Sequence, residues 1–248
     1  MKLKSIIKYN LSSLKNSIII YYSIFITVCV ASALLSKNGN VYSSGIEISS
    51  VIFLFVAGLN LFKENFYFIK SNNVSRKDFI YGTALSMIPV ALVMSIIDII
   101  LNRIYNIFIK CPTLYDMVYT NFESDQWSYF SNWIQSNSIS TILNNIIFQA
   151  SLCLAAVSLG FIITIIYYKC NSFMKVVVSV APIAFLILGS TIGTVYSNIG
   201  ENLNEFIQTI FGLNSQNSYI AVLTFIISFV IFIGISRLLT RRAIIKQG

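Results

Sequence analysis

Six apolar runs, at about 17–35, 46–62, 79–101, 144–168, 173–196 and 219–239, leave this chain of 248 residues little to fold against except lipid. A helix needs about 20 apolar residues to cross the hydrocarbon, so each run suffices, the second only just. Only 10% of the residues are charged and 56% are hydrophobic, where a soluble domain carries roughly 25% charged residues. The fold class read from this pattern is an all-α integral membrane protein, a single six-span domain over 1–248. The spans use about half the length, which leaves short connections and two larger loops, about 102–143 and 197–218. No soluble catalytic domain fits in what remains. We find no internal repeat and no low-complexity stretch.

The net charge of +8 comes from orientation signals beside the apolar runs, which argues against a nucleic-acid partner. With the N-terminus inside, Lys2, Lys4, Lys8, Lys15, Lys63, Lys70, Arg76, Lys77, Lys169, Lys175, Arg237, Arg241, Arg242 and Lys246 are cytoplasmic. That leaves only Lys37, Arg103 and Lys110 outside. The positive-inside rule then predicts a multi-pass protein of the cell membrane with both termini cytoplasmic. The N-terminal stretch shows no small-residue cleavage site after its first apolar run, so that run is expected to stay as span 1.

Residues 1–16 form more than a basic leader. At helical pitch Leu3, Ile6, Ile7, Leu11 and Leu14 fall on one arc and Lys2, Lys4, Lys8, Ser12 and Lys15 on the other. An interfacial amphipathic helix is expected there, turning into span 1 near residue 17. Loop 197–218 repeats the pattern on the other side, with Ile199, Leu203, Phe206, Ile207 and Ile210 opposite Glu201, Asn202, Asn204 and Glu205. It is too short and polar to cross, and is expected to lie on or dip into the outer leaflet. The 102–143 loop is dense in aromatics, which reads as a headgroup-level belt or as a cap that touches substrate.

Few residues carry chemistry. The chain has no histidine, which removes His-based metal sites and Ser-His-Asp triads. Cys29, Cys111, Cys153 and Cys170 make neither a disulfide framework nor a metal cluster. No cofactor or metal is expected in this chain. Asp98 is the one acid well inside an apolar run. Counted from the start of span 3 it falls near the outer interface, where Asn102 and Arg103 are expected partners. With Phe206 and Phe211 it makes the candidate pathway or outer gate. Glu47 starts span 2 at a similar level. No Walker A sequence occurs, since Gly189-Ser-Thr-Ile-Gly193 lacks the lysine, and the chain is expected not to be an ATPase. Gly189 and Gly193, like Ala156 and Gly160, have the small-residue spacing of a helix–helix contact. Pro89 and Pro182 are expected to bend spans 3 and 5.

The cytoplasmic loop 63–78 mixes charge with Phe66, Tyr67, Phe68 and Ile69. A loop that only sets topology needs no such cluster, whereas a short helix docked on a soluble partner does; a headgroup anchor is the other reading. Ser75 or Asp78 is expected to cap span 3.

Together these features resemble the permease subunits of type-2 ATP-binding-cassette exporters. The matching parts are the 2–16 helix, six spans with both ends inside, the loop Phe62-Lys63-Glu64-Asn65-Phe66…Ser75-Arg76-Lys77, and the amphipathic segment 199–213 between spans 5 and 6. The texture is similar to permeases that export antimicrobial or toxin peptides, including phenol-soluble modulins. The resemblance implies that 63–78 is a coupling helix with Glu64, Phe66, Tyr67, Phe68, Ile69 and Arg76 against a separate ATPase, which holds the ATP and Mg. It also implies pairing with a second copy or a close paralogue, membrane lipid around the pair, and an amphipathic peptide as substrate. The 102–143 loop departs from the pattern. The competing readings are the substrate-binding membrane subunit of an energy-coupling-factor importer, and a membrane immunity or sensor protein.

Overall fold

A computed structural model describes residues 2–35, 43–62, 66, 74–120, 133–171, 173–181 and 197–241. All regular structure among them is helical: α1 (Lys2–Leu35), α2 (Ile48–Asn60), α3 (Arg76–Tyr105), α4 (Leu114–Tyr119), α5 (Ile139–Lys169), α6 (Ser197–Ile210) and α7 (Ser218–Thr240). Residues 173–181 are helical as well. Four helices, α1, α3, α5 and α7, are long and apolar enough to cross a membrane. Their outward faces carry Ile24, Val93 and Val230, each more than half exposed, as a lipid-facing surface does. Most of the fifth run, including Pro182, Gly189 and Gly193, lies outside the described residues.

The first correction concerns the N-terminus. No turn separates an interfacial helix from span 1, because α1 is one helix of 34 residues, about 50 Å long at 1.5 Å per residue. The arcs read from the sequence hold, but the apolar arc faces α3. Ile6 and Leu14 are buried, and Ile6 packs over Gly82. Between them Asn10, fully buried, donates to Thr83 (3.3 Å) and Ser86 (3.2 Å). Further along, the Tyr22 hydroxyl donates to Asp98 (2.8 Å), and Ser32 shares a hydrogen bond with Tyr105 (2.9 Å). The two helices thus run side by side in the same direction.

The second run is shorter than a full span. α2 has 13 residues, about 20 Å of rise. Above it, irregular chain folds inward. Ser43 N–H donates to the Lys110 carbonyl (3.2 Å) and Gly45 N–H to that of Pro112 (3.0 Å). Irregular backbone shut away from water needs protein partners around it. Here Cys111, Thr113 and Asp116 are each at most 1% exposed.

α5 is the central pillar, packed against α2, α3 and α7. A Cβ placed on Gly58 would come within 2.2 Å of the Val157 carbonyl oxygen, and one on Gly160 within 2.2 Å of that of Phe55. Only glycine lets the α2 and α5 backbones touch this closely. Ser75 caps α3 as expected, its side chain accepting from Asp78 N–H at 3.0 Å. Pro89 lies inside α3, where it withholds one backbone donor.

Candidate functional site

Two places in the bundle concentrate polar groups, one in its interior and one at the end that carries the basic residues. The interior cluster is centred on Asp98, 2% exposed. Its carboxylate accepts from the hydroxyls of Tyr22 and Ser50, both at 2.8 Å, and from the Gln149 amide at 3.5 Å. The donors come from α1, α2 and α5, so one carboxylate ties three helices to α3. The same Gln149 nitrogen reaches the Glu47 carbonyl at 3.3 Å, and Tyr21 shares hydrogen bonds with Ser49 and Ser50, each 2.8 Å.

This corrects the expected pairing of Asp98 with Asn102 and Arg103. Asn102 donates to the Cys111 carbonyl (3.1 Å) and accepts from Gln135 (2.9 Å). Arg103 donates to the Ser136 carbonyl (3.0 Å) and Asn137 (3.3 Å). The reason is axial: each turn of α3 stands about 5.4 Å further along, enough for these side chains to meet different neighbours. Asp98 lies beside Tyr22, because the first turns of α1 run parallel to α3 instead of folding away.

Glu47 is 2% exposed. One of its carboxylate oxygens accepts from Leu114 N–H; the other has no hydrogen-bond partner. Asp116 and Thr113 form a capping box at the start of α4, and Asn145 donates to Thr113 at 2.7 Å. Burial pushes the Asp116 carboxyl up, against hydrogen bonds from Thr113 and the charge of Arg103, which lower it. Burial also pushes the Cys111 thiol up to about 12, which leaves it a poor nucleophile. Among the described residues no three His, Cys, Asp or Glu side chains gather as a metal site.

The gate residues are not brought together. Phe206 is 62% exposed on α6, whose apolar face also presents Leu203 and Ile207. Phe211 belongs to an aromatic cluster with Tyr115, Tyr119, Phe148 and Phe225, apart from Asp98. Its ring lies 5.7 Å from Phe225, and its carbonyl accepts from the Tyr119 hydroxyl at 2.6 Å. Among the described residues part of the aromatic loop is internal packing: Tyr105, Tyr115 and Tyr119 are buried, whereas Phe108 stands out at 68%.

At the basic end, Phe66 is 3% exposed, which corrects its expected insertion into a partner. Its ring stacks on Phe62 with centroids 4.9 Å apart, and lies 5.7 Å from Phe79 and 5.9 Å from Tyr168. Glu64, Tyr67, Phe68 and Ile69 lie outside the described residues. Arg76 is committed within the chain, donating to the Arg241 carbonyl at 2.9 Å. Arg237 sits over the Tyr81 ring, its guanidinium carbon 5.1 Å from the centroid. Asn10, Tyr22, Ser50 and Gln149, all buried, are polar groups of these clusters that sequence reasoning missed. Asn10 was findable, being one turn from both Ile6 and Leu14 on the apolar arc.

Compared with known proteins, the chain matches no family model, no curated protein and no solved structure.

Proposed function

We propose that the chain is the membrane-spanning permease subunit of an ATP-driven exporter, working with a separate ATPase and moving amphipathic or hydrophobic substrates, peptides by class, out of the cell. In this reading it crosses the membrane six times with both ends in the cytoplasm. Residues 48–60 and the segments folded over them make the second crossing, and residues 173–196 the fifth.

One observation carries the proposal: the Phe62–Phe66 stack, wedged against Phe79 and Tyr168. It fastens the start of the 63–75 segment to α2, α3 and α5 together. A force applied at Phe66 reaches α2, α3 and α5 through these ring contacts. Tyr67, Phe68 and Ile69 are left as the apolar residues for a partner. The exposed apolar face of α6 and the lack of a Walker A sequence support the same reading. The Asp98 cluster serves as internal cement, since each of its oxygens already has a partner.

The experiment is a retention assay. Cells that lack this chain are expected to accumulate a labelled amphipathic peptide and to become sensitive to it, with both effects reversed by the restored gene. Normal efflux in the deletion strain, together with lost uptake of a small vitamin, would replace this reading with the importer one.

A further inference from the structure

A groove runs between α3 and α7 at the basic end of the bundle. Its mouth, about 660 Å³, is lined by Arg76, Lys77, Arg237 and Arg241 together with Tyr81 and Gly234. Among the described residues no carboxylate lines it. Tyr81, Gly234 and Arg237 are shared with an apolar furrow of about 310 Å³ that continues along the helices past Leu85 and Ile88 to Phe229. From Arg76 to Ile88 the rise is about 18 Å, close to half of a ~30 Å hydrocarbon core. The furrow opens to the outside, because Leu85 and Val230 on its rims are 44% and 61% exposed. Its floor is open at Gly234, where an added Cβ would meet nothing within 4 Å.

We infer that this groove is a binding site for one anionic phospholipid of the cytoplasmic leaflet. Four cations at the mouth complement a phosphate-bearing headgroup, and basic pockets between membrane helices on the cytoplasmic side are where such headgroups bind. Arginine suits this role because its planar fork meets phosphate oxygens two at a time. The furrow below takes the acyl chain at the depth of one leaflet. A soluble anion would use only the mouth, and a neutral lipid only the furrow. The occupant joins α3 to α7, which carry the two sides of the groove. The inference rests on the membrane placement and orientation proposed above and not on ATP-driven export, so either can fail without the other.

The test uses the full chain purified in mild detergent, with phosphatidylglycerol or phosphatidylcholine added and binding read by native mass spectrometry and by the unfolding midpoint. Phosphatidylglycerol is expected to bind at least tenfold more tightly and to raise the midpoint. Arg76→Gln and Arg237→Gln are each expected to weaken it about fivefold, as one basic residue near an anionic headgroup does. Gly234→Leu keeps all four cations but fills the furrow, and is expected to remove phosphatidylglycerol binding, while Gly234→Ala preserves it. Inorganic phosphate is expected not to raise the midpoint. Equal binding of the two lipids, full protection by inorganic phosphate, or wild-type binding by Gly234→Leu would each overturn the proposal. So would efficient disulfide cross-linking between copies through Val230→Cys, which would assign this face to a second copy. If Gly234→Leu does not fold, the comparison of the two lipids with the arginine variants decides.

Discussion

Gly58 and Gly160 oppose one another so closely that a methyl group on either would lie 2.2 Å from a backbone oxygen of the other helix. The contact joins α2, a helix of 13 residues, to the central pillar α5. Thr164 reinforces it by donating to the Leu59 carbonyl at 2.6 Å. Gly160→Ala is therefore expected to cost about 1–3 kcal/mol through overpacking, and Gly58→Ala a similar amount. Gly234→Ala, in open space, is expected to be neutral. Unfolding of the purified protein in mixed micelles checks all three, and a neutral Gly160→Ala would mean that α2 and α5 pack differently.

Asp98 has three donors and each has a different helix behind it. Asp98→Ala takes the carboxylate from Tyr22, Ser50 and Gln149, which keep the Met94 carbonyl, Tyr21 and the Glu47 carbonyl as partners, so the expected cost is that of three interhelical hydrogen bonds at about 0.6 kcal/mol each. Tyr22→Phe removes a single interhelical hydrogen bond, worth about 0.6 kcal/mol in a membrane protein. The same unfolding measurement is expected to rank Asp98→Ala as the more damaging of the two. Equal losses would show that the carboxylate does not hold the helices together.

Phe66 and its neighbours in sequence are expected to fail differently. Phe66→Ala opens a cavity among Phe62, Phe79 and Tyr168 and is expected to cost about 3 kcal/mol of stability. On the proposed function, Tyr67→Ala with Phe68→Ala is expected to leave the unfolding midpoint unchanged while weakening association with the proposed ATPase at least tenfold, as loss of aromatic anchors at an interface does. Measuring both quantities on both variants separates structural from docking roles. A Phe66→Ala protein of normal stability would contradict the buried stack.

Orientation is open to a direct chemical check. In a background free of its four native cysteines, single cysteines at Ser43 and Asn214 are expected to react with an impermeant maleimide on intact cells. Cysteines at Lys77 and Gln247 are expected to react only after lysis. Labelling of Lys77→Cys on intact cells would reverse the topology.

The helices were largely legible because crossing a membrane demands a composition that few other structures have. α3, α5 and α7 begin and end within a few residues of the apolar runs, and α6 follows the 199–210 pattern. What the pattern could not supply was direction. The arc of Ile6, Ile7 and Leu14 fits a lipid surface or a helix surface equally well, and only Asn10, a polar residue within that arc, signals a protein neighbour. Asp98 shows the same limit. Proximity along α3 pointed to Asn102 and Arg103, whereas its partners come from positions 22, 50 and 149, brought together only by tertiary packing. Phe66 was read as bait for a partner because aromatics in a loop look unburied until the helices beneath them are placed.

The account stands most directly on energy from a separate ATPase. The tagged chain, isolated from its own membranes in mild detergent, should be analysed for bound polypeptides and for ATP hydrolysis. We predict a stoichiometric partner that contains a Walker A sequence, with ATPase activity that rises on addition of an amphipathic peptide and is lost when Tyr67 and Phe68 are both changed to Ala. Recovery of the chain without any ATP-hydrolysing partner, and with a tightly bound small vitamin in its place, would contradict the account.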